Sequence, residues 1–123
     1  MDVKVSKHIL VVEDDDTTRR FLMTLLEMCG YEVEGVQDGL QALDTLPQGN
    51  FNGMVLDLFM PIINGLEVLK HLKESHSSLP VIITTAHPEY AEQALAQGAK
   101  ECLIKPFEAD ELKRAVECWV GPP

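Results

Sequence analysis

The sequence predicts an α/β fold built on one parallel sheet, and three observations carry that prediction. Five short runs rich in β-branched and aliphatic residues recur along 123 residues, each followed by a segment whose apolar residues fall at helical spacing. The inner runs are continuous in their hydrophobicity rather than alternating, as strands covered on both faces require. Glycine, proline and Asn-Gly punctuation separates the two kinds of segment. Strand, helix and strand in succession then imply right-handed crossovers, with helices packed on the sheet as a sandwich.

Each element follows in order. His8 to Val12 is a continuous apolar strand, and Glu13-Asp14-Asp15-Asp16 follows at its C-terminal end. Thr17 to Cys29 reads as a helix carrying Phe21, Leu22, Leu25, Leu26 and Met28, with Asp15 or Asp16 to cap it and Gly30 to stop it. Glu32 to Val36 alternates charge with valine before breaking at Gly35, the pattern of a partly solvated edge strand. Asp38-Gly39 opens a helix bearing Leu40, Leu43 and Leu46, which the polar turn from Pro47 to Asn50 ends. Met54 to Asp57 is the third strand. Pro61 cannot continue it, Asn64-Gly65 reads as a turn or helix cap, and helical spacing resumes at Leu66, Val68, Leu69 and Leu72. Ser75 to Ser78 is a polar loop, after which Pro80 introduces the strand Val81 to Thr85. Pro88 suits the first turn of a helix running to Gln97, with Gly98 as its stop. Glu101 to Ile104 is the fifth strand, and Leu112, Ala115, Val116 and Trp119 mark the apolar face of a last helix.

The composition narrows the function classes. With 46% apolar and 24% charged residues the chain suits one compact domain and excludes a disordered or coiled-coil chain. Apolar runs such as Ile9 to Val12 are too short to cross a bilayer, and Met1 to His8 lacks the apolar core of a signal peptide. The expected location is therefore cytoplasmic, with no membrane partner. Cys29, Cys102 and Cys118 are odd in number and lack CxxC spacing, which points to reduced thiols rather than disulfides or a zinc site. A net charge of −10 without a clustered basic footprint argues against direct nucleic-acid binding.

In parallel α/β sheets, sites lie beyond the C-terminal ends of the strands. Asp57 is the one charge in the thirteen residues from Gly53 to Gly65, and an isolated charge is not kept in an apolar run without a partner or a task. Alone it has a second, lesser reading as a mere strand terminator, and the run from Glu13 to Asp16 reads first as a solvated face or helix N-terminus. Yet Glu13, Asp14, Asp57, Thr84 or Thr85, and Lys105 all fall at strand C-termini, and convergence from four segments favours a site. Three carboxylates at one edge repel one another unless they hold a proton or bind a hard cation through oxygen. Mg2+ fits that role, with Mn2+ as its substitute, because it joins one or two carboxylates to a phosphoryl group. A hydroxyl from Thr85 and the Lys105 ammonium complete a cradle for a tetrahedral dianion, so that Asp57 attacks an incoming phosphorus in line and holds it as an aspartyl phosphate. Strand alternation turns one of Thr84 and Thr85 away, and Thr84 is the second choice.

These residues resemble the receiver domain of two-component response regulators, from His8 to about Trp119. The resemblance rests on Ile9-Leu10-Val11-Val12-Glu13-Asp14, Asp38-Gly39-x-x-Ala42-Leu43, Asp57 with Pro61 and Gly65 downstream, Thr85-Ala86, Gly98-Ala99 and Lys105-Pro106-Phe107. It implies a doubly wound, flavodoxin-like (βα)5 sandwich of strand order 2-1-3-4-5. Residues 8–120 then form the receiver domain, 1–7 an N-terminal extension, and 121–123 a tail or the start of a linker. Position by position, Asp57 resembles the phosphoacceptor, Asp14 a direct Mg2+ ligand, Glu13 a ligand through water, and Phe59 the donor of a backbone carbonyl to the metal. Thr85 resembles the switch hydroxyl and Ala86 the small residue beside it. Lys105 resembles the phosphate-contacting lysine, with a cis peptide to Pro106, and Leu58 and Phe59 flank the phosphoryl group. The implied partners are a sensor histidine kinase or histidine phosphotransfer protein, then a downstream protein or an effector domain severed from this piece. A phosphorylation-dependent dimer is a further implication.

Three departures qualify the transfer. Cys102 occupies the position, three before the lysine, where the family carries an aromatic switch residue. The interval from Thr85 to Lys105 is short, which trims the fourth helix and alters the face used for dimerisation. Phe59 and His87 are bulky and are expected to hinder attacking water. His87 is read as a loop residue rather than a metal ligand, and His8, His71 and His76 show no ligand spacing. Two other classes compete: Asp14-x-Asp16-x-Thr18 matches the nucleophile motif of haloacid-dehalogenase-like phosphatases, and the chain also reads as a non-phosphorylated interaction module. Against the phosphatase, a helix follows the motif at once and no second acidic pair follows Lys105.

Overall fold

Aliphatic runs buried on both sides become the strands β1 (His8–Val12), β3 (Gly53–Asp57) and β4 (Val81–Thr85), flanked by β2 (Glu32–Val36) and β5 (Glu101–Ile104) at the edges. All pair in parallel in the order β2-β1-β3-β4-β5, as the resemblance implies. The computed structural model describes residues 6–75 and 77–123, so residues 1–5 of the expected extension and His76 lie outside the described residues. The helices are α1 (Asp16–Met28), α2 (Gly39–Thr45), α3 (Gly65–Glu74), α4 (Ala91–Ala96) and α5 (Ala109–Trp119).

Because side chains alternate along each strand, neighbouring residues enter two different cores. Leu10, Val12, Met54, Leu56, Val81 and Ile83 face Ala42, Val68, Leu69 and Ala94 from α2, α3 and α4. Ile9, Val11, Val55, Ile82 and Leu103 face Leu22, Leu26, Leu112, Ala115 and Val116 from α1 and α5. Three helices start where the sequence supplies a side-chain acceptor. Asp15 accepts from the Thr18 amide (2.8 Å), Asp38 from Gln41 (2.8 Å) and Asn64 from Glu67 (3.0 Å), each satisfying an otherwise unpaired first-turn N–H.

The structure departs from the sequence reading in a few places. β2 continues through Gly35 to Val36 instead of breaking there, and the glycine leaves room for the Met23 side chain of α1, whose sulfur a Cβ would meet. The single helix expected from Pro88 to Gln97 is a 3-10 turn, Pro88–Tyr90, followed by the six-residue α4. Phe21, Met28, Leu40 and Trp119, all read as core-facing, are exposed. Trp119 instead covers the edge of the sheet: its indole N–H donates to Glu101 Oε1 at 2.9 Å, and the Lys100 ammonium sits 5.9 Å from the ring centre.

Candidate functional site

The C-terminal ends of β1, β3, β4 and β5 meet at one rim. β1 ends at Val12, and the next residue, Glu13, remains tied to the sheet because its amide donates to Val36 O (3.1 Å). Its side chain is buried, with Oε2 accepting from the Asp15 amide at 3.0 Å. Asp14 follows in the turn and is exposed. Asp57 closes β3 with only 6% of its surface exposed. One carboxylate oxygen from each of Glu13, Asp14 and Asp57 lies within 4.8 Å of the other two.

One ammonium faces this group. Lys105 follows β5, its amide donating to Thr85 O at 2.8 Å, and the Lys105–Pro106 peptide is cis as the resemblance implies. Its Nζ donates to Glu13 Oε1 at 2.8 Å and stands 3.5 Å from Asp57 Oδ1. The electrostatics follow from this geometry. Burial, then the charge of Glu13, pushes Asp57 up to about 7, with Lys105 only partly offsetting them. Burial opposes the Glu13 carboxylate as well, but hydrogen bonds from Lys105 and the Asp15 amide hold it below the usual carboxylate range. Burial and the neighbouring Glu13 raise Asp14. For Lys105, burial works against the charge, yet Glu13 and Asp57 hold the ammonium protonated above its ordinary value.

Among the described residues, three carboxylates facing one lysine leave a deficit of about two positive charges, and their donor atoms are all hard oxygens. The residues present thus fit Mg2+, which would supply that charge and polarise a phosphoryl oxygen. The other expected residues sort as follows. Thr85 is fully buried, and its Oγ1 accepts from the His87 amide at 3.0 Å. Ala86 follows it at the rim and is exposed. Phe59 is half-exposed in the β3–α3 loop, packed edge-on against His87 (4.8 Å between ring centres) and Tyr90 (5.0 Å). His87 lies 3.3 Å from Glu89 and is a loop residue, outside the carboxylate group. Leu58 corrects the sequence reading: it is buried, its amide donates to Thr84 O (3.0 Å) and its carbonyl accepts from Gly65 (2.7 Å), so its backbone polar groups are engaged within the protein. Asp16, required by the phosphatase alternative, turns away and pairs with Arg19 on the exposed side of α1 at 2.5 Å.

Sequence reasoning missed two residues here. Arg19 donates from Nη1 to the Glu13 carbonyl at 2.7 Å, pinning the turn that carries Glu13 and Asp14. Its only trace in the sequence was the i, i+3 spacing from Asp16. Tyr90 completes the aromatic group beside Phe59, and nothing in its local sequence pointed there.

Residues 9–117 match the family described as the response regulator receiver domain. Response regulator MprA of Mycobacterium sp. (strain KMS) is 41% identical over 106 residues, covering 85% of this chain and 46% of that protein. An uncharacterised transcriptional regulatory protein of Bacillus subtilis (strain 168), YkoG, is 38% identical over 107 residues, covering 85% and 47%. The chain thus spans about half the length of these curated relatives. Among solved structures, the Francisella response regulator 1452 receiver domain superposes with TM-score 0.89 at 32% identity, covering 94% of this chain and 97% of that one. Response regulator TrrA of Thermotoga maritima, solved in complex with Mg2+-BeF, gives TM-score 0.86 at 34% identity, covering 92% and 98%.

Proposed function

Because the chain belongs to the response regulator receiver domain family, we propose that residues 8–120 form its receiver unit and that Asp57 is the phosphoacceptor. The observation that supports this best is the pairing of a buried Asp57 with two further carboxylates and with Lys105 at the C-terminal rim of the sheet. An Asp57 oxygen forms the bond to phosphorus as the P–N bond of a donor phosphohistidine breaks, and the leaving imidazole takes up a proton. Mg2+, or Mn2+ in its place, would be held by Asp14, Asp57 and the Phe59 carbonyl, with Glu13 reaching it through water, and would supply the charge that draws in a phosphoryl oxygen. Lys105, Thr85, Ala86 and Phe59 surround the phosphoryl group.

The donor is a sensor histidine kinase or a histidine phosphotransfer protein. Thr85 reports the change by exchanging its bond with the His87 amide for one with the phosphoryl group, and α4, β5 and α5 carry the change to a downstream protein, an attached effector domain or a second copy. Phe59 and His87 shield the phosphoryl group from water and slow its autodephosphorylation. The protein works in the cytoplasm; among the described residues no helix is long and apolar enough to cross a membrane.

The test is incubation with acetyl phosphate and Mg2+, followed by mapping of the modified residue. One phosphoryl group on Asp57, lost in Asp57→Asn and on addition of EDTA, is the expected result. Modification of Asp14 or Asp16, or none, overturns the reading.

A further inference from the structure

Two adjacent threonines close β4, and they face opposite ways. Thr85 shares the parity of Val81 and Ile83, which pack against α2, α3 and α4, and its hydroxyl is engaged by His87. Thr84 is the Cα partner of Asp57 on β3 and of Leu103 on β5. Partners in a parallel ladder present their side chains to the same face of the sheet, and the grouping of Val55, Ile82 and Leu103 in one core follows that rule here. Thr84 therefore shares a sheet face with Asp57, next to it on the neighbouring strand.

Thr84 is 1% exposed, and its Oγ1 has no hydrogen-bond partner among the described residues. A buried hydroxyl without a partner carries a desolvation penalty that valine, of nearly the same shape, avoids. What covers it follows from the topology. Lys105 lies two residues beyond Leu103 at the end of β5, yet its ammonium reaches Asp57 on β3 and Glu13 beyond β1. With β4 lying between β5 and β3, the lysine side chain has to pass over the C-terminal end of β4. Thr84 thus lies beneath the path of the lysine side chain, on the strand next to the one whose carboxylate that lysine serves.

We propose that Thr84 is a positioning residue of this site, its hydroxyl donating to the Asp57 carboxylate when the Lys105 ammonium is drawn to an incoming phosphoryl group. The Lys105 ammonium is shared between Glu13 and Asp57, so its departure takes away a positive charge 3.5 Å from the Asp57 carboxylate. A hydroxyl on the same face with its hydrogen uncommitted, brought to Asp57 by a turn of the Thr84 side chain or of the carboxylate, supplies a replacement that keeps the attacking oxygen aimed. This rests on the reading of Asp57 as the phosphoacceptor.

The experiment compares wild type with Thr84→Val and Thr84→Ser, measuring the urea midpoint in EDTA, the Mg2+ dissociation constant, and the rate of Asp57 phosphorylation at saturating acetyl phosphate. Thr84→Val is expected to raise the urea midpoint, because it removes the unpaired hydroxyl, while slowing phosphorylation about fivefold or more and leaving Mg2+ affinity within about twofold. Thr84→Ser restores the rate. A valine variant that reacts at the wild-type rate overturns the proposal. A slower variant with a lowered urea midpoint overturns it too, since it assigns Thr84 a merely structural role. Failure of the wild type itself to label Asp57 removes the premise along with the inference, whereas labelled wild type with an equally reactive valine variant removes the inference alone.

Discussion

The Lys105 ammonium lies nearer to Glu13 than to Asp57, 2.8 Å against 3.5 Å, although Asp57 is the residue expected to react. By distance the lysine is first a counter-charge for a buried glutamate and only secondarily a partner of Asp57. Glu13 is in effect a parking place that a phosphoryl group must outbid.

Removal of that counter-charge gives the first prediction. Lys105→Met leaves a nearly fully buried Glu13 carboxylate uncompensated, which costs about 3 kcal/mol in EDTA at neutral pH. Mg2+ recovers part of the loss. Urea unfolding with and without the metal checks both statements, and an unchanged midpoint in EDTA contradicts them.

The raised Asp57 group makes metal binding and stability pH-dependent. Its value moves from an ordinary 3.8 to about 7 on folding, so between those limits the folded protein holds a proton that the unfolded chain has released. Stability of the metal-free protein therefore falls as pH rises through that window, and Asp57→Asn flattens the fall. Glu13 works in the opposite sense: its lowered value stabilises the fold above the usual carboxylate range and is lost on acidification. Because Mg2+ competes with the Asp57 proton, it should raise Tm more at about pH 8.5 than at about pH 5.5. Equal shifts at both would count against this assignment.

Phe59 packs on His87 and Tyr90 at the mouth of the site. Phe59→Asn opens that side and is expected to shorten the phosphoryl lifetime about threefold or more, roughly 0.7 kcal/mol in the barrier. Decay of labelled Asp57 after removal of the donor is the measurement; an unchanged lifetime dismisses the shielding role.

Gly65 is held against the strand that carries Asp57. A Cβ there would stand 2.9 Å from both the Asp57 carbonyl oxygen and the Leu58 Cα, and these backbone atoms have no room to yield. Gly65→Ala should cost about 2 kcal/mol and slow phosphorylation by displacing Asp57, whereas the same change at Gly98, where nothing lies within 4 Å of the added atom, brings backbone strain without that effect on the site.

Ile62 supplies the reverse case. It is exposed, β-branched and held at φ 73°, a left-handed conformation that isoleucine adopts only under strain. Ile62→Gly should stabilise the fold by about 0.5–1 kcal/mol after the entropy of glycine is counted. Thermal unfolding would show Tm rising; a fall would mean that the exposed side chain makes contacts worth more than the strain.

The strands were legible because a continuous aliphatic run flanked by glycine or proline admits few other readings in a chain of this length. Asp15, Asp38 and Asn64 gave the helix starts through local chemistry, and Asp57, Asp14, Glu13 and Lys105 were legible because strand ends converge in any parallel sheet. Burial of individual helix residues was less so: Phe21, Met28, Leu40 and Trp119 flank their apolar stripes, and periodicity does not say on which side a stripe stops. The Arg19–Glu13 bond, the Phe59–His87–Tyr90 group and the unpaired Thr84 hydroxyl depend on packing between segments distant in the chain, which leaves no periodic trace.

The brevity of α4 bears on the proposed switch at Thr85. At six residues it barely exceeds the nucleus that any helix must form before propagation becomes favourable. Such a segment has almost no cooperative length to resist rewinding, and it is joined to the Thr85–His87 hydrogen bond through the turn Pro88–Tyr90. If Thr85 moves as proposed, the whole of α4 can answer by changing its pitch, where a longer helix would answer with a tilt.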